Sequence, residues 1–165
     1  MRALTFWFFA LFLFFQAGPA GAGNDRDFTA ASFQFDAGAQ NPVVSKKFDC
    51  KIKTVEQGPV RVITISSFIS AKSAPDVIIR VISSESSVAN IIYNSKMEVV
   101  AEYPKGDLIG PNVFLFKGGD EKRKVEGRWY LDQDYMMSDF SVSDPKGAII
   151  YKETVIYQAK KPSRK

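Results

Sequence analysis

The feature that most constrains the fold is a pair of strand-like runs at residues 48–54 and 60–69. In the first run, apolar and charged residues alternate from Phe48 to Lys53, a period of two that gives a β-strand one apolar and one wet face. The second run opens with Val60-Arg61-Val62-Ile63-Thr64-Ile65, and its β-branched residues suit a pleated sheet better than a helix. Because Gly58-Pro59 supplies a turn between the runs, the pattern predicts an antiparallel hairpin.

Similar runs recur along the rest of the chain, separated by clusters of Gly, Pro, Asn and Asp. We count about nine strands and find no segment with helical periodicity, which predicts an all-β fold. Several strands have only one apolar face, so the pattern favours a single antiparallel β-sandwich, immunoglobulin-like or jelly-roll-like. A closed β-barrel is the alternative.

The N-terminus has the pattern of a signal peptide. Arg2 gives a positive start, a run from Ala3 to Phe15 that is apolar apart from Thr5 follows, and Ala20-Gly21-Ala22 has the small residues of a cleavage site. The apolar run is too short to span a bilayer of ~30 Å. We therefore expect cleavage near Ala22, a secreted or periplasmic protein without a transmembrane segment in its mature chain, one domain at 23–159 and a basic tail at 160–165.

The basic character of the chain belongs to its two ends. The formal net charge is +4, and Arg2 with the four basic residues of the tail exceeds that total, so the predicted domain is close to neutral. A nucleic-acid-binding surface needs clustered positive charge. We therefore predict no nucleic-acid partner.

The absence of histidine restricts the chemistry that the chain can perform. The sequence contains no histidine and one cysteine, which excludes a Ser-His-Asp triad, a Cys-His pair, a histidine metal site and a thiolate metal cage. We predict a protein that is not an enzyme and has no cofactor. The weak candidates for metal binding are carboxylates at a spacing suited to one hard cation, without the glycine and distal glutamate of a calcium loop: Asp132, Asp134 and Asp139.

Two groups of residues are candidates for binding. The Pro- and Gly-rich segment from Pro104 to Asn112 predicts a long surface loop, where binding residues are often found. With two nearby tyrosines, the candidates for contact with a partner or ligand are Lys105, Asp107, Leu108, Ile109, Asn112, Tyr130 and Tyr135. A lysine stripe on one strand, Lys47, Lys51 and Lys53, either holds an anion or protects an exposed edge strand from aggregation.

The lone cysteine lies on the apolar face of its predicted strand. This position predicts a buried, inert thiol for Cys50, with an intermolecular disulfide as the alternative in an oxidising compartment.

Three functional hypotheses are compatible with these features. The leading one is a non-catalytic protein that acts by protein–protein interaction in the cell envelope or extracellular space. The second is a small carrier that binds an apolar ligand inside a β-barrel, suggested by the 13% content of Phe, Trp and Tyr. The third is a self-assembling subunit that associates by strand addition at residues 31–35 or by a disulfide at Cys50.

Overall fold

The structure, a computed structural model, is all-β. It describes residues 24–36, 43–70, 73–85, 87–110 and 112–161. The predicted signal peptide and the end of the basic tail lie outside these residues. No helix in the described part of the chain is long and apolar enough to cross a membrane. The strands are β1 (Asn24–Asp36), β2 (Val43–Gln57), β3 (Val60–Phe68), β4 (Val77–Ser83), β5 (Val88–Asn94), β6 (Val99–Gly110), β7 (Val113–Gly119), β8 (Lys124–Leu131), β9 (Tyr135–Ser143) and β10 (Ile149–Ala159).

The ten strands form one closed antiparallel barrel rather than a sandwich. Each strand pairs with the next in sequence, and β1 pairs with both β2 and β10, which closes the sheet. The all-β prediction is confirmed and the alternative of a closed barrel is observed, whereas the prediction of a nine-strand sandwich is wrong. The sequence pattern marks each strand, but the pairing that closes a barrel joins residues at opposite ends of the chain.

The register of the ladders shows how steeply the strands tilt. The row of paired residues that starts at Glu56 on β2 passes once through every strand and returns to β2 at Val43. A stagger of this kind requires the strands to tilt against the barrel axis, and the width of a barrel grows with strand number. A ten-strand barrel is therefore wider than the eight-strand barrels whose interiors side chains just fill.

The predicted hairpin at residues 48–69 is confirmed. Residues from Asp49 to Gln57 pair with residues from Phe68 to Val60, and Gly58 takes a positive φ of 58° in the turn. Few residues other than glycine adopt this conformation readily.

The predicted loop from Pro104 to Asn112 is mostly strand, so this prediction is wrong. Strand β6 continues to Gly110. The pairing with β5 shifts by one residue between Tyr103 and Gly106, and such a β-bulge accommodates Pro104, which has no N–H to donate to the ladder. Beyond Gly106 the strand pairs only with β7, so the β6–β7 hairpin extends past the neighbouring strand β5.

The hydrophobic core fills the middle of the barrel. Trp129 lies at the centre of the core, with 4% of its surface exposed and its ring stacked on Tyr157 at 5.9 Å between centroids. The side chains packed around them come from nearly every strand. The large buried members are Phe28, Cys50, Ile52, Ile63, Ile65, Val81, Val88, Phe114, Phe116, Leu131 and Met136.

The two ends of the barrel are distinguished by their connections. We call the lower end the one that holds the start of β1, the β2–β3 and β6–β7 hairpins and the end of β10. The upper end holds the β5–β6, β7–β8 and β9–β10 turns. The candidate sites below are located with these terms.

Candidate functional site

The inward-facing side chains near the upper end of the barrel are more exposed than those of the core beneath them. Side chains in the core are at most 5% exposed, whereas the inward-facing side chains above them are only half-buried. We call this region the upper recess. Its inward-facing residues are Gln34, Ile79, Ile92, Val125, Gly127, Phe140, Tyr151 and Glu153.

A hydrogen-bonded network of four side chains lies on one wall of the upper recess. Ser32 Oγ donates to Glu153 Oε1 at 2.5 Å, and the Tyr151 hydroxyl donates to Glu153 Oε2 at 3.0 Å. Gln34 Nε2 in turn donates to the Tyr151 hydroxyl oxygen at 3.1 Å. Both carboxylate oxygens of Glu153 are therefore held by named donors, which fixes the orientation of the carboxylate.

The local sequence explains why these four side chains face inward together. On β10, Tyr151 and Glu153 have the same parity as Tyr157, which is buried in the core, and side chains two residues apart in a strand share a face. On β1, Gln34 is the direct partner of Glu153 in the ladder. Ser32 is next to it on the same face and is 3% exposed.

Aromatic and apolar groups surround the network. The rings of Phe140 and Tyr151 meet edge to face, with centroids 6.4 Å apart. Gly127, the partner of Phe140 on β8, leaves space beside that ring, because a Cβ built on it would meet the Phe140 ring at an ordinary 3.7 Å. Ile79 and Ile92 pair on the opposite wall. The upper recess is thus mainly apolar with one carboxylate.

Glu153 has no basic partner in the described part of the chain. The two ion pairs there join Arg26 to Asp134 and Lys160 to Asp49. These two pairs lie outside the upper recess. The lysine nearest by register is Lys46, opposite Ser32 on β2, and its side chain is exposed.

The structure does not bring the predicted metal candidates together in the described part of the chain. In the described residues, no three His, Cys, Asp or Glu side chains converge on a possible metal position. The carboxylates that we predicted as weak metal candidates are held separately. Asp134 pairs with Arg26, Asp139 accepts from Thr154 Oγ1 at 2.6 Å, and Asp132 accepts from the Gln133 N–H.

Five of the seven predicted partner-contact residues lie at the lower end of the barrel. Leu108 and Ile109 are 45% and 53% exposed near the tip of the β6–β7 hairpin. Tyr135 is 41% exposed, and its ring lies 6.4 Å from that of Tyr130. Asn112 joins the same end, where its carbonyl accepts from Leu131 N–H. The other two, Lys105 and Asp107, are exposed further back along β6.

The lysine stripe lies on the outer face of β2 beside acidic residues of β1. Lys51 pairs with Asp27 and Lys53 with Asp25 in the ladder, and opposite charges across strands stabilise a sheet by roughly 0.2–1 kcal/mol per pair. β2 pairs with β1 and β3, so edge protection does not explain the stripe. Each of these two lysines therefore lies beside an acidic residue across the ladder.

A groove of about 790 Å³ also crosses the outer face of β1, β2 and β3. Lys47 and Lys51 line it together with Lys160, which forms an ion pair with Asp49 at 2.8 Å. The main chain of Lys160 is anchored as well, since its N–H donates to the carbonyl of Asp27. The groove therefore carries both signs of charge, and its charge favours neither an anion nor a cation strongly.

Cys50 faces the interior of the barrel and is 1% exposed. Its sulfur lies 3.6 Å from Ser67 Oγ. Burial raises the pKa of the Cys50 thiol from 9.0 to about 11, an effect that the hydrogen bond with Ser67 only partly opposes. At neutral pH the thiol is protonated and enclosed, which is the environment of an unreactive cysteine.

We predict that the Cys50 thiol causes the free energy of unfolding to fall at alkaline pH. Because the thiol ionises near pH 9 in the unfolded chain but near pH 11 when folded, its contribution to the free energy of unfolding is complete below pH 9. The contribution falls by up to ~3 kcal/mol between pH 9 and pH 11. Urea unfolding of the wild type and of Cys50→Ser across this range measures it as the difference between the two curves. Burial also raises the pKa of Tyr157. Because both proteins contain this tyrosine, its own contribution largely cancels in the difference. Parallel curves would contradict the prediction.

Sequence reasoning missed the network in the upper recess. On β10, Glu153 occupies the same face as Tyr151, Val155 and Tyr157. A single carboxylate at an inward position of an otherwise apolar series was the available signal. Ser32 and Gln34 could not be recognised as members of the network, because they lie more than a hundred residues away in the chain.

Comparison with known proteins gives no family for this chain. No protein-family model matches it, and no curated protein sequence shows significant similarity to it.

Proposed function

We propose that the protein is a non-catalytic binding protein that takes up a small apolar molecule through the upper end of its barrel. The observation that carries the proposal is the contrast between a packed core and the partly exposed inward-facing residues above it. Closed barrels of more than eight strands have interiors wide enough for ligands. The N-terminal pattern adds a secreted or periplasmic location to the proposal.

The composition of the upper recess supports an apolar ligand. Ligand sites are mostly lined by apolar and aromatic groups with a few polar groups that orient the ligand. Ile79, Ile92, Val125 and Phe140 provide such a lining, and Glu153 with its donors provides the polar part. Because Trp129 lies in the core and the second tryptophan, Trp7, lies in the predicted signal peptide, tryptophan fluorescence of the cleaved protein reports on the interior.

A neutral dye and one filled-in variant test the proposal. We expect N-phenyl-1-naphthylamine to bind the wild type with enhanced fluorescence and at one site per chain. In Gly127→Leu the new side chain extends from an inward position beside Phe140, where a Cβ is tolerated. We therefore expect this variant to lose at least about tenfold in affinity, since it occupies the space that the dye requires.

The matched control is Glu126→Leu, which adds an apolar side chain to the outer face of the same strand. It should bind the dye as the wild type does. Absence of dye binding to the wild type, or equal losses in the two variants, would contradict uptake through the upper recess.

Protein–protein interaction is a second candidate, favoured by the exposed apolar surface at the lower end. Leu108, Ile109 and Tyr135 are each more than 40% exposed, and exposed apolar residues grouped on one surface are typical of contact sites. The native mass of the protein isolated from its source distinguishes the two candidates. A mass increase of a few hundred daltons supports the carrier, whereas a heteromeric mass supports a protein partner.

Self-assembly has less support from the geometry. Residues 31–35 pair on one side with β10 and, along most of their length, with β2 on the other, so this segment offers no free edge for strand addition. Cys50 is enclosed in the core, so a disulfide between chains requires the barrel to open locally. The same mass measurement, with and without reductant, tests both routes.

A further inference from the structure

We infer that the upper recess selects an organic cation: an amine or ammonium group that sits against Glu153, attached to an apolar body that lies along the remaining lining. This inference rests on the proposed function and names its ligand class. Four observations carry it: the isolation of the carboxylate, its fixed orientation, the rings beside it and the apolar wall opposite.

The first observation is the unpaired charge of Glu153. Its side chain is half-buried and faces the interior, and no described lysine or arginine forms an ion pair with it. Removing a carboxylate from water is unfavourable unless it is paired or fully hydrogen-bonded. A bound cation would complete the pairing of this carboxylate, whereas a bound anion would be repelled by it.

The second observation is that the carboxylate is held in place before any ligand arrives. Ser32, which is 3% exposed, holds one oxygen, and the Tyr151 hydroxyl holds the other. Gln34 donates to that hydroxyl and so orients it toward Glu153. A carboxylate oxygen accepts more than one hydrogen bond, so each oxygen can receive a further donor from a ligand without breaking the network.

The third observation is the pair of aromatic rings beside the carboxylate. Phe140 is the ladder partner of Glu153, and its ring meets that of Tyr151 edge to face. The face of an aromatic ring attracts a cation, and the attraction increases when the cation is removed from water. Carboxylate and rings together favour an ammonium group over a hydroxyl group of the same size.

The fourth observation concerns the rest of the ligand. The wall opposite Glu153 carries Ile79 and Ile92, and the core below presents Phe116 and Trp129. These groups offer no charged partner and favour an apolar chain or ring. The preferred ligand is therefore amphipathic, with its cation at the β1–β10 wall.

Three probes that share one alkyl chain test the charge preference. Dodecylamine, dodecanol and dodecanoic acid are each titrated at pH 7 against the protein loaded with N-phenyl-1-naphthylamine. We expect dodecylamine to displace the dye at a concentration about tenfold lower than dodecanol, because a hydrogen bond to a charged group is stronger than one between neutral groups. Dodecanoic acid should be the weakest of the three.

The variant Glu153→Gln separates charge from shape, since it keeps the size of the side chain and one accepting oxygen. We expect it to lose the preference for dodecylamine while dodecanol displaces the dye as before. Gly127→Leu should weaken the binding of all three probes. A probe whose binding it leaves unchanged is bound elsewhere on the surface. The comparison of probes in the wild type stands without the variants if one of them folds poorly.

The possible outcomes distinguish the cation preference from the proposed uptake of an apolar molecule. Equal displacement by the three probes, or strongest displacement by dodecanoic acid, overturns the cation preference and leaves apolar uptake intact. A preference for dodecylamine that survives in Glu153→Gln overturns the role of Glu153. Failure of the dye and of every probe to bind the wild type overturns both proposals.

Discussion

Replacing Trp129 by alanine is expected to lower the free energy of unfolding by ~3–5 kcal/mol, the range for removing a large aromatic side chain from a core. Trp129 is 4% exposed, and its ring stacks on Tyr157, which is 2% exposed. Removal of the indole leaves a cavity that the closed barrel cannot easily collapse, because every strand is hydrogen-bonded on both sides. Urea unfolding followed by circular dichroism measures the loss without relying on tryptophan fluorescence.

The neighbouring residue provides the control for this prediction. Tyr130 is half-buried on the outer face of the same strand, so Tyr130→Ala removes an aromatic ring without opening a cavity in the core. We expect it to lower the free energy of unfolding by roughly 1 kcal/mol. Similar losses in the two variants would contradict the assignment of Trp129 to the centre of the core.

Gly119→Ala is expected to lower the free energy of unfolding by roughly 3 kcal/mol or to prevent folding. Gly119 ends β7 with a φ of 111°, a conformation that residues with a Cβ rarely adopt. A Cβ at this position would also collide with the carbonyl oxygen of Arg123, which accepts the N–H of Asp120 in the β7–β8 turn. The collision is with backbone, so no side-chain rotation relieves it.

Gly147→Ala isolates the conformational part of this effect. Gly147 has a positive φ of 92° in the β9–β10 turn, but nothing lies within 4 Å of a Cβ built on it. We expect it to lower the free energy of unfolding by ~1 kcal/mol, from backbone strain alone. Chemical denaturation of both variants compares them directly. A Gly119→Ala variant no less stable than Gly147→Ala would contradict the steric argument.

Part of the exposed apolar surface at the lower end could be located from the sequence, although not for the reason given. Leu108 and Ile109 were assigned to a loop and lie in a strand, yet both are exposed because β6 continues past β5 with β7 as its only partner. Tyr130 and Tyr135 were selected as separate aromatics, and the β8–β9 connection brings their rings together. The polar network of the upper recess could not be located in this way, because it joins strands from opposite ends of the chain.

The first strand illustrates how alternation can mark the two faces of a strand without identifying the inner one. Phe33 and Phe35 alternate with Ser32 and Gln34, which suggests an apolar inner face for the phenylalanines. The structure places Ser32 and Gln34 inside, in phase with Phe28, while Phe35 lies beneath Lys152 at 5.6 Å. Pairing with β10 sets this orientation, since it places Gln34 opposite Glu153.

By itself the sequence determined the all-β character and the β2–β3 hairpin, because period-two alternation and turn residues are local properties of a strand. Closure of the barrel, the orientation of β1 and the site around Glu153 were decided only by tertiary structure. Each depends on hydrogen bonds between β1 and β10. The residues that form these bonds are distant from one another in the chain. No local pattern records which strand will become the neighbour of the first.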